Sequence, residues 1–161
     1  MPFAIKIKLE GLKDALDSLQ SVGRTVRNKI LRKALNDATQ PILASAKARA
    51  AIGPTRQLRR SLGRRVKTYR LSGAVVAVIG PRRGYRVLVE RAGRQVPHDP
   101  AKIAHLVEYG HVVVRGGKVV GHTPPHPFMA PAMEENRTQA VSLISSRIAN
   151  ELDRLAAKGG A

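Results

Sequence analysis

The chain has 161 residues, enough for one domain with a core of its own. It has no cysteine, which excludes a disulfide scaffold, thiolate metal sites and a cysteine nucleophile. Lys and Arg number 29 against 11 Asp and Glu, a formal net charge of +18, while 43% of residues are apolar and 3% aromatic; this is too apolar for a disordered basic tail and too poor in rings for single-strand nucleic-acid binding by stacking.

Residues 3–9 alternate, with Phe3, Ile5, Ile7 and Leu9 on one side, and predict a short strand. Leu12 to Val22 can form a short helix with Leu12, Leu16 and Leu19 on one face. A longer helix is expected from Arg24 to Ala50, its stripe being Val26, Ile30, Ala34, Leu35, Ala38, Ile42 and Ala46. Pro41 lies inside it and predicts a kink or a break. Arg65–Leu71 and Ala74–Ile79 read as two strands, the second a continuous apolar run that suits a central strand. Tyr85–Arg91 reads as a further strand, residues 92–100 as a loop, and Lys102–Tyr109 as a short helix. His111–Val114 and Lys118–Val120 flank Gly116-Gly117 as a hairpin. A proline-rich stretch then leads into a final helix over 132–158, with Met133, Val141, Ile144, Ile148, Leu152 and Leu155 on its apolar face. The expected class is α+β, a mainly antiparallel sheet with helices packed on one face and a long C-terminal helix. One domain is expected over 1–161, with loop and hairpin insertions over 82–122.

No secretory signal is expected, because residues 1–10 alternate rather than run apolar, and no apolar run approaches the roughly 20 residues of a membrane span. Between Ala38 and Val89 there is no acidic residue, whereas Arg56, Arg59, Arg60, Arg64, Arg65, Arg82 and Arg83 all fall there. Such a block suits contact with phosphates or an acidic protein face, and arginine suits bidentate contacts; the simpler alternative is a solvated surface. No helix-turn-helix, zinc-finger or phosphate-loop pattern accompanies it. His98, His105, His111, His122 and His126 lie close in sequence, but none forms a His-Glu-x-x-His pair, and the prolines around His122 and His126 forbid a regular helix. No Gly-x-Ser-x-Gly elbow or paired carboxylates point to hydrolysis. No catalysis, cofactor or metal is expected.

The most informative stretch is Val107-Glu108-Tyr109-Gly110-His111, followed after the hairpin by Pro125-His126-Pro127-Phe128-Met129-Ala130-Pro131-Ala132-Met133-Glu134. Phe128 and Met129 are expected to anchor the entry to the last helix in the core, with Pro131 near its first turn. Together with Ile52-Gly53-Pro54-Thr55-Arg56-Gln57-Leu58-Arg59-Arg60-Ser61, these segments resemble the tail-completion and neck family of long-tailed bacteriophages, to which minor tail protein Z of lambda-like phages is related. The resemblance covers about residues 5–155; Gln57 stands where the family commonly has glycine, and the basic stretch around 82–100 departs from it.

That resemblance implies a virion structural protein of the neck or upper tail, assembled in the host cytoplasm. It would complete or cap the tail tube and join it to the head connector as a homo-oligomeric ring, commonly a hexamer. Its partners would be the tail tube protein and the head connector or stopper protein, with non-specific contact to DNA in the channel and none to membrane. Glu108, Tyr109, Gly110, Pro127, Phe128, Met129 and Pro131 would be the motif's structural or interface residues, and the arginine block would face the channel or an acidic neighbour. The alternative is a basic, non-specific nucleic-acid-binding protein outside a virion.

Overall fold

The computed structural model describes residues 13–20, 22–51, 56–91 and 93–159. The strand expected over 3–9, Leu12 and the 52–55 part of the middle segment lie outside them. The described elements are α1 (Lys13–Ser18), α2 (Arg24–Arg49), α3 (Gln57–Ser61), β1 (Leu62–Thr68), β2 (Val75–Pro81), β3 (Val87–Arg91), β4 (Arg94–His98), α4 (Pro100–Tyr109), β5 (His111–Arg115), β6 (Lys118–Thr123) and α5 (Met129–Gly159). The class is α+β with a long C-terminal helix. Its described strands form three two-stranded ladders, β1 with β2, β3 with β4 and β5 with β6.

Helix α2 buries Ile30, Ala34, Ala38, Ile42 and Ala46, one residue in every four, so a single stripe runs down most of its length. The break expected at Pro41 is absent, since α2 is continuous with Pro41 inside it. An interior proline costs about 3 kcal/mol; burial of the stripe on both sides of it, at Ala38 and Ile42, offsets that loss. The buried Thr39 hydroxyl donates back to the carbonyls of Leu35 (2.8 Å) and Asn36 (3.0 Å) and so is satisfied within the helix. In α5 the buried positions are Met129, Ala132, Met133, Ala140, Ile144 and Ile148.

Two expectations are corrected. Strand β2 is not covered on both faces: among the described residues it pairs only with β1, and Val76 and Val78 remain exposed while Ile79 is buried. A run of small apolar residues reads as central, but the burial alternates as in any half-covered strand. The segment expected as a loop contains β4, antiparallel to β3 with Leu88 opposite Pro97. Proline is tolerated there because β4 has one described neighbour, leaving its other edge without a ladder to interrupt.

Contacts gather into two compact units. One comprises the described parts of Leu43–Gly63 and Ile79–Met133; the other comprises Arg64–Val78 and the described parts of Lys6–Ile42 and Glu134–Ala161. The first holds α4, the β3–β4 and β5–β6 hairpins, and buried Leu58, Ile79, Ala104, Phe128 and Met129. In the second, α2 and α5 are tied by Lys33 to Glu151 at 2.7 Å and by Arg147 Nε to Asp37 at 2.6 Å.

Candidate functional site

Helix α4 opens with Pro100 in its first turn, and the Asp99 side chain accepts the Ala101 N–H at 3.0 Å. Its buried residues are Pro100, Ala104 and Glu108, spaced by four, so a carboxylate sits on the helix's inward stripe. Glu108 is 2% exposed. One of its oxygens accepts from the backbone N–H of Phe128 (2.9 Å) and Met129 (3.1 Å), and the other from Ala130 (3.0 Å). Those donors are the unpaired amides at the start of α5, where a negative charge also complements the helix dipole. Helix α5 thus takes its cap from a residue twenty positions upstream. Phe128, the residue before α5, has no capping oxygen, and its fully buried ring anchors the entry to the helix.

The same region closes the base of the β5–β6 hairpin. The His126 N–H donates to the Val107 carbonyl at 2.8 Å. Gly110, at φ 72°, faces the chain returning from β6: a Cβ there would lie 2.5 Å from the Thr123 carbonyl oxygen and 2.9 Å from the Pro125 nitrogen. Only glycine fits both the dihedral and the space. Tyr109 is exposed, as is Pro127, while Pro131 is half-buried in the first turn of α5.

Beyond this base, β5 and β6 pair from His111 opposite Thr123 to Arg115 opposite Lys118, with a register shift between Val113 and Val114. Gly116 and Gly117 both take positive φ, as a tight hairpin turn requires. Val112, Val113, Val114, Val119 and Val120 are all exposed, Val119 by 71%. Consecutive residues on both strands are uncovered, so neither face of the hairpin is buried.

The arginines of the acid-free block have different surroundings. Arg82 is engaged within the chain: its Nη2 donates to the Arg60 carbonyl (3.0 Å) and its Nε to the Ser61 carbonyl (3.3 Å), and its guanidinium lies 4.9 Å from the centre of the Tyr85 ring. Gly63 leaves room for it, since a Cβ there would be 2.9 Å from the Arg82 side chain. Arg56, with φ 51°, precedes α3 in a left-handed conformation, and Gln57 next to it is buried. Arg59, Arg60, Arg65 and Arg83 are exposed, and Arg64 is half-buried.

The family model described as "Bacteriophage HK97-gp10, putative tail-component" matches residues 13–110, more than half of the chain. The chain belongs to this HK97-gp10-like family. It is therefore a bacteriophage tail component, a structural class of virion protein. No curated protein and no solved structure matches it.

In this family member the matched region ends at Gly110, so the β5–β6 hairpin and α5 lie beyond it. The histidines do not converge: His105 and His122 are exposed, His98 ends β4, His111 begins β5, and the His126 ring nitrogen Nε2 lies 3.3 Å from the Arg49 carbonyl. Among the described residues no group of three His, Asp or Glu side chains could hold a metal ion, and no helix is long and apolar enough to cross a membrane. The first turn of α5 has no acid of its own, and Glu108 fills that place. Two signals marked it: the spacing of Glu108 from Pro100 and Ala104, and the lack of a capping side chain before α5.

Proposed function

We propose that this tail component completes or caps the tail tube at the head–tail junction, as a closed homo-oligomeric ring that meets the tube protein below and the head connector or stopper above. The observation that carries it, beyond family membership, is the β5–β6 hairpin. A lone two-stranded hairpin is marginal in water, and one with valines open on both faces is a ready site for association. In an assembled virion a neighbouring subunit covers it. On this reading the free chain associates weakly and the ring forms on the tail, the hairpin acting as an arm.

The exposed Arg59, Arg60, Arg65 and Arg83 then face the channel or an acidic neighbour, because a ring repeats every charge and the resulting repulsion needs a compensating anion. A particle reconstruction that left them on open solvent would refute that part. For the arm, Val112, Val114, Val119 and Val120 are replaced together by Thr, which keeps shape and strand preference while adding polarity. The expected result is an unchanged circular dichroism spectrum and loss of the protein from particles. Particles that carry the variant at wild-type occupancy would overturn the proposal.

A further inference from the structure

A groove of about 670 Å³ lies in the second unit, lined by Arg24, Thr25, Asn28, Lys29, Arg32, Lys33, Thr68 and Arg70. Its helical members fall at 24/25, 28/29 and 32/33, one face of α2, and over that face the helix rises about 12 Å. Thr68 ends β1, and Arg70 lies in the turn after it. Five of the eight described lining residues are cationic, and none of those eight is acidic. Lys33 already pairs with Glu151, and among the described residues Arg24, Lys29, Arg32 and Arg70 have no ion-pair partner.

Two of the lining residues carry an unpaired polar atom. The Thr68 hydroxyl and the Asn28 side-chain oxygen are buried without a hydrogen-bond partner. A buried polar group left unpaired costs about 1–3 kcal/mol, so such atoms mark a place where a partner belongs. The hydroxyl can donate, and turning the Asn28 amide over presents its NH₂. Every described lining side chain thus carries a group of a kind that can donate hydrogen bonds.

We infer that this groove binds the phosphate backbone of duplex DNA without reading its sequence. The described lining carries cationic groups and hydrogen-bond donors and no carboxylate, and a phosphodiester strand needs only charge and donors along its length. Arginine and lysine on successive turns of α2, faced by Arg70, would follow one strand for a few phosphates. The inference deepens the proposed position on the DNA path and takes its ligand from that reading. None of the seven arginines that the sequence singled out is among the groove's described lining residues.

The test must separate the groove from the general attraction of a chain with net charge +18. Binding of a labelled duplex of unrelated sequence is followed by fluorescence anisotropy from about 50 to 200 mM salt. One variant carries Arg24→Gln, Lys29→Gln, Arg32→Gln and Arg70→Gln; a second, of equal charge, carries Arg94→Gln, Arg115→Gln, Lys118→Gln and Lys158→Gln at exposed positions elsewhere. Each phosphate contact contributes about 0.9 to the slope of log affinity against log salt. The groove variant should lose about 2–4 from that slope and bind roughly tenfold or more weakly than the control variant at equal salt. Equal losses in the two variants would overturn the inference, as would an absence of duplex binding by the wild type. Polyglutamate that displaces duplex at a lower charge concentration than competing duplex would also overturn it, in favour of an acidic protein. Single replacement of Arg70 by Gln, outside any helix, keeps the test open if the fourfold variant does not fold; it should lower the slope by about 1, and an unchanged slope would count against the site. The assay uses free protein, so its failure is separable from failure to find a ring on the tail.

Discussion

Replacing Glu108 by Ala probes the cap that α4 lends to α5. The change removes a buried carboxylate and leaves three backbone N–H groups without their acceptor, those of Phe128 and Met129 fully buried and that of Ala130 partly so. A buried donor left unsatisfied costs about 1–3 kcal/mol, and a charge at a helix N-terminus in partly buried geometry contributes up to about 2 kcal/mol. These terms overlap, and the first turn of α5 can relax towards solvent at Ala130, so the expected loss is about 3–5 kcal/mol. In a chain of this size that lowers the melting temperature by roughly 6–20 °C. Glu108→Gln is the graded control. Its single carbonyl oxygen can still serve Phe128 and Met129, while its NH₂ meets the Ala130 N–H donor to donor, so about 1–2 kcal/mol should be lost. Urea unfolding followed by circular dichroism measures both. An Ala variant within about 0.5 kcal/mol of wild type, or a Gln variant less stable than the Ala variant, would refute the capping argument.

Phe128→Ala, which empties the space of a fully buried ring, should cost about 3–5 kcal/mol in the same experiment; an unchanged unfolding curve with lost particle assembly would instead place Phe128 at a subunit face. The hydrogen bond from Lys33, with that lysine's charge and those of Arg154 and Arg147, holds the Glu151 carboxyl below its ordinary value of 4.5 despite the opposing effect of desolvation. A lowered folded-state pKa stabilises the fold above the unfolded pKa, and the gain is lost as the pH falls through the folded-state pKa. Wild type should therefore exceed Glu151→Gln in stability at neutral pH, the two should converge in acid, and a difference independent of pH would count against the pairing.

Periodicity made the long elements legible. Ile30, Ala34, Ala38, Ile42 and Ala46 stand at helical spacing and are buried as that spacing demands, and Gly116-Gly117 marks the hairpin turn through its dihedrals. What misled was local punctuation read without its surroundings. Pro41 breaks nothing because the stripe around it is packed, and Pro97 sits in a strand because β4 has a free edge among the described residues. The site was legible in its members and not in their roles. Glu108 and Phe128 were recognisable as parts of one motif, yet no spacing rule says that a carboxylate at 108 accepts from an amide at 128. The groove escaped because Arg24, Lys29 and Arg32 lie outside the acid-free block, on a helix whose apolar stripe drew attention to its opposite side.

The two halves of the motif are the two feet of one hairpin. Val107, Glu108 and Gly110 stand immediately before β5; Thr123 ends β6, and Pro125, His126 and Phe128 follow it. The joins between them are the His126 N–H on the Val107 carbonyl, the close approach at Gly110 and the three amides on Glu108. A hairpin of five or six residues a side extends roughly 17–20 Å from its base, so a small rotation at the feet moves the tip by several ångströms. An arm of exposed valines can meet a neighbour in register only if that base is stiff. This accounts for the buried placement of Glu108 and Phe128 and the close backbone approach at Gly110: on the proposed reading they aim the arm and the valines make the contact. The motif and the interface are then separable by experiment, because a loosened foot such as Glu108→Gln should weaken folding and assembly together, whereas polar valine replacements should weaken assembly alone.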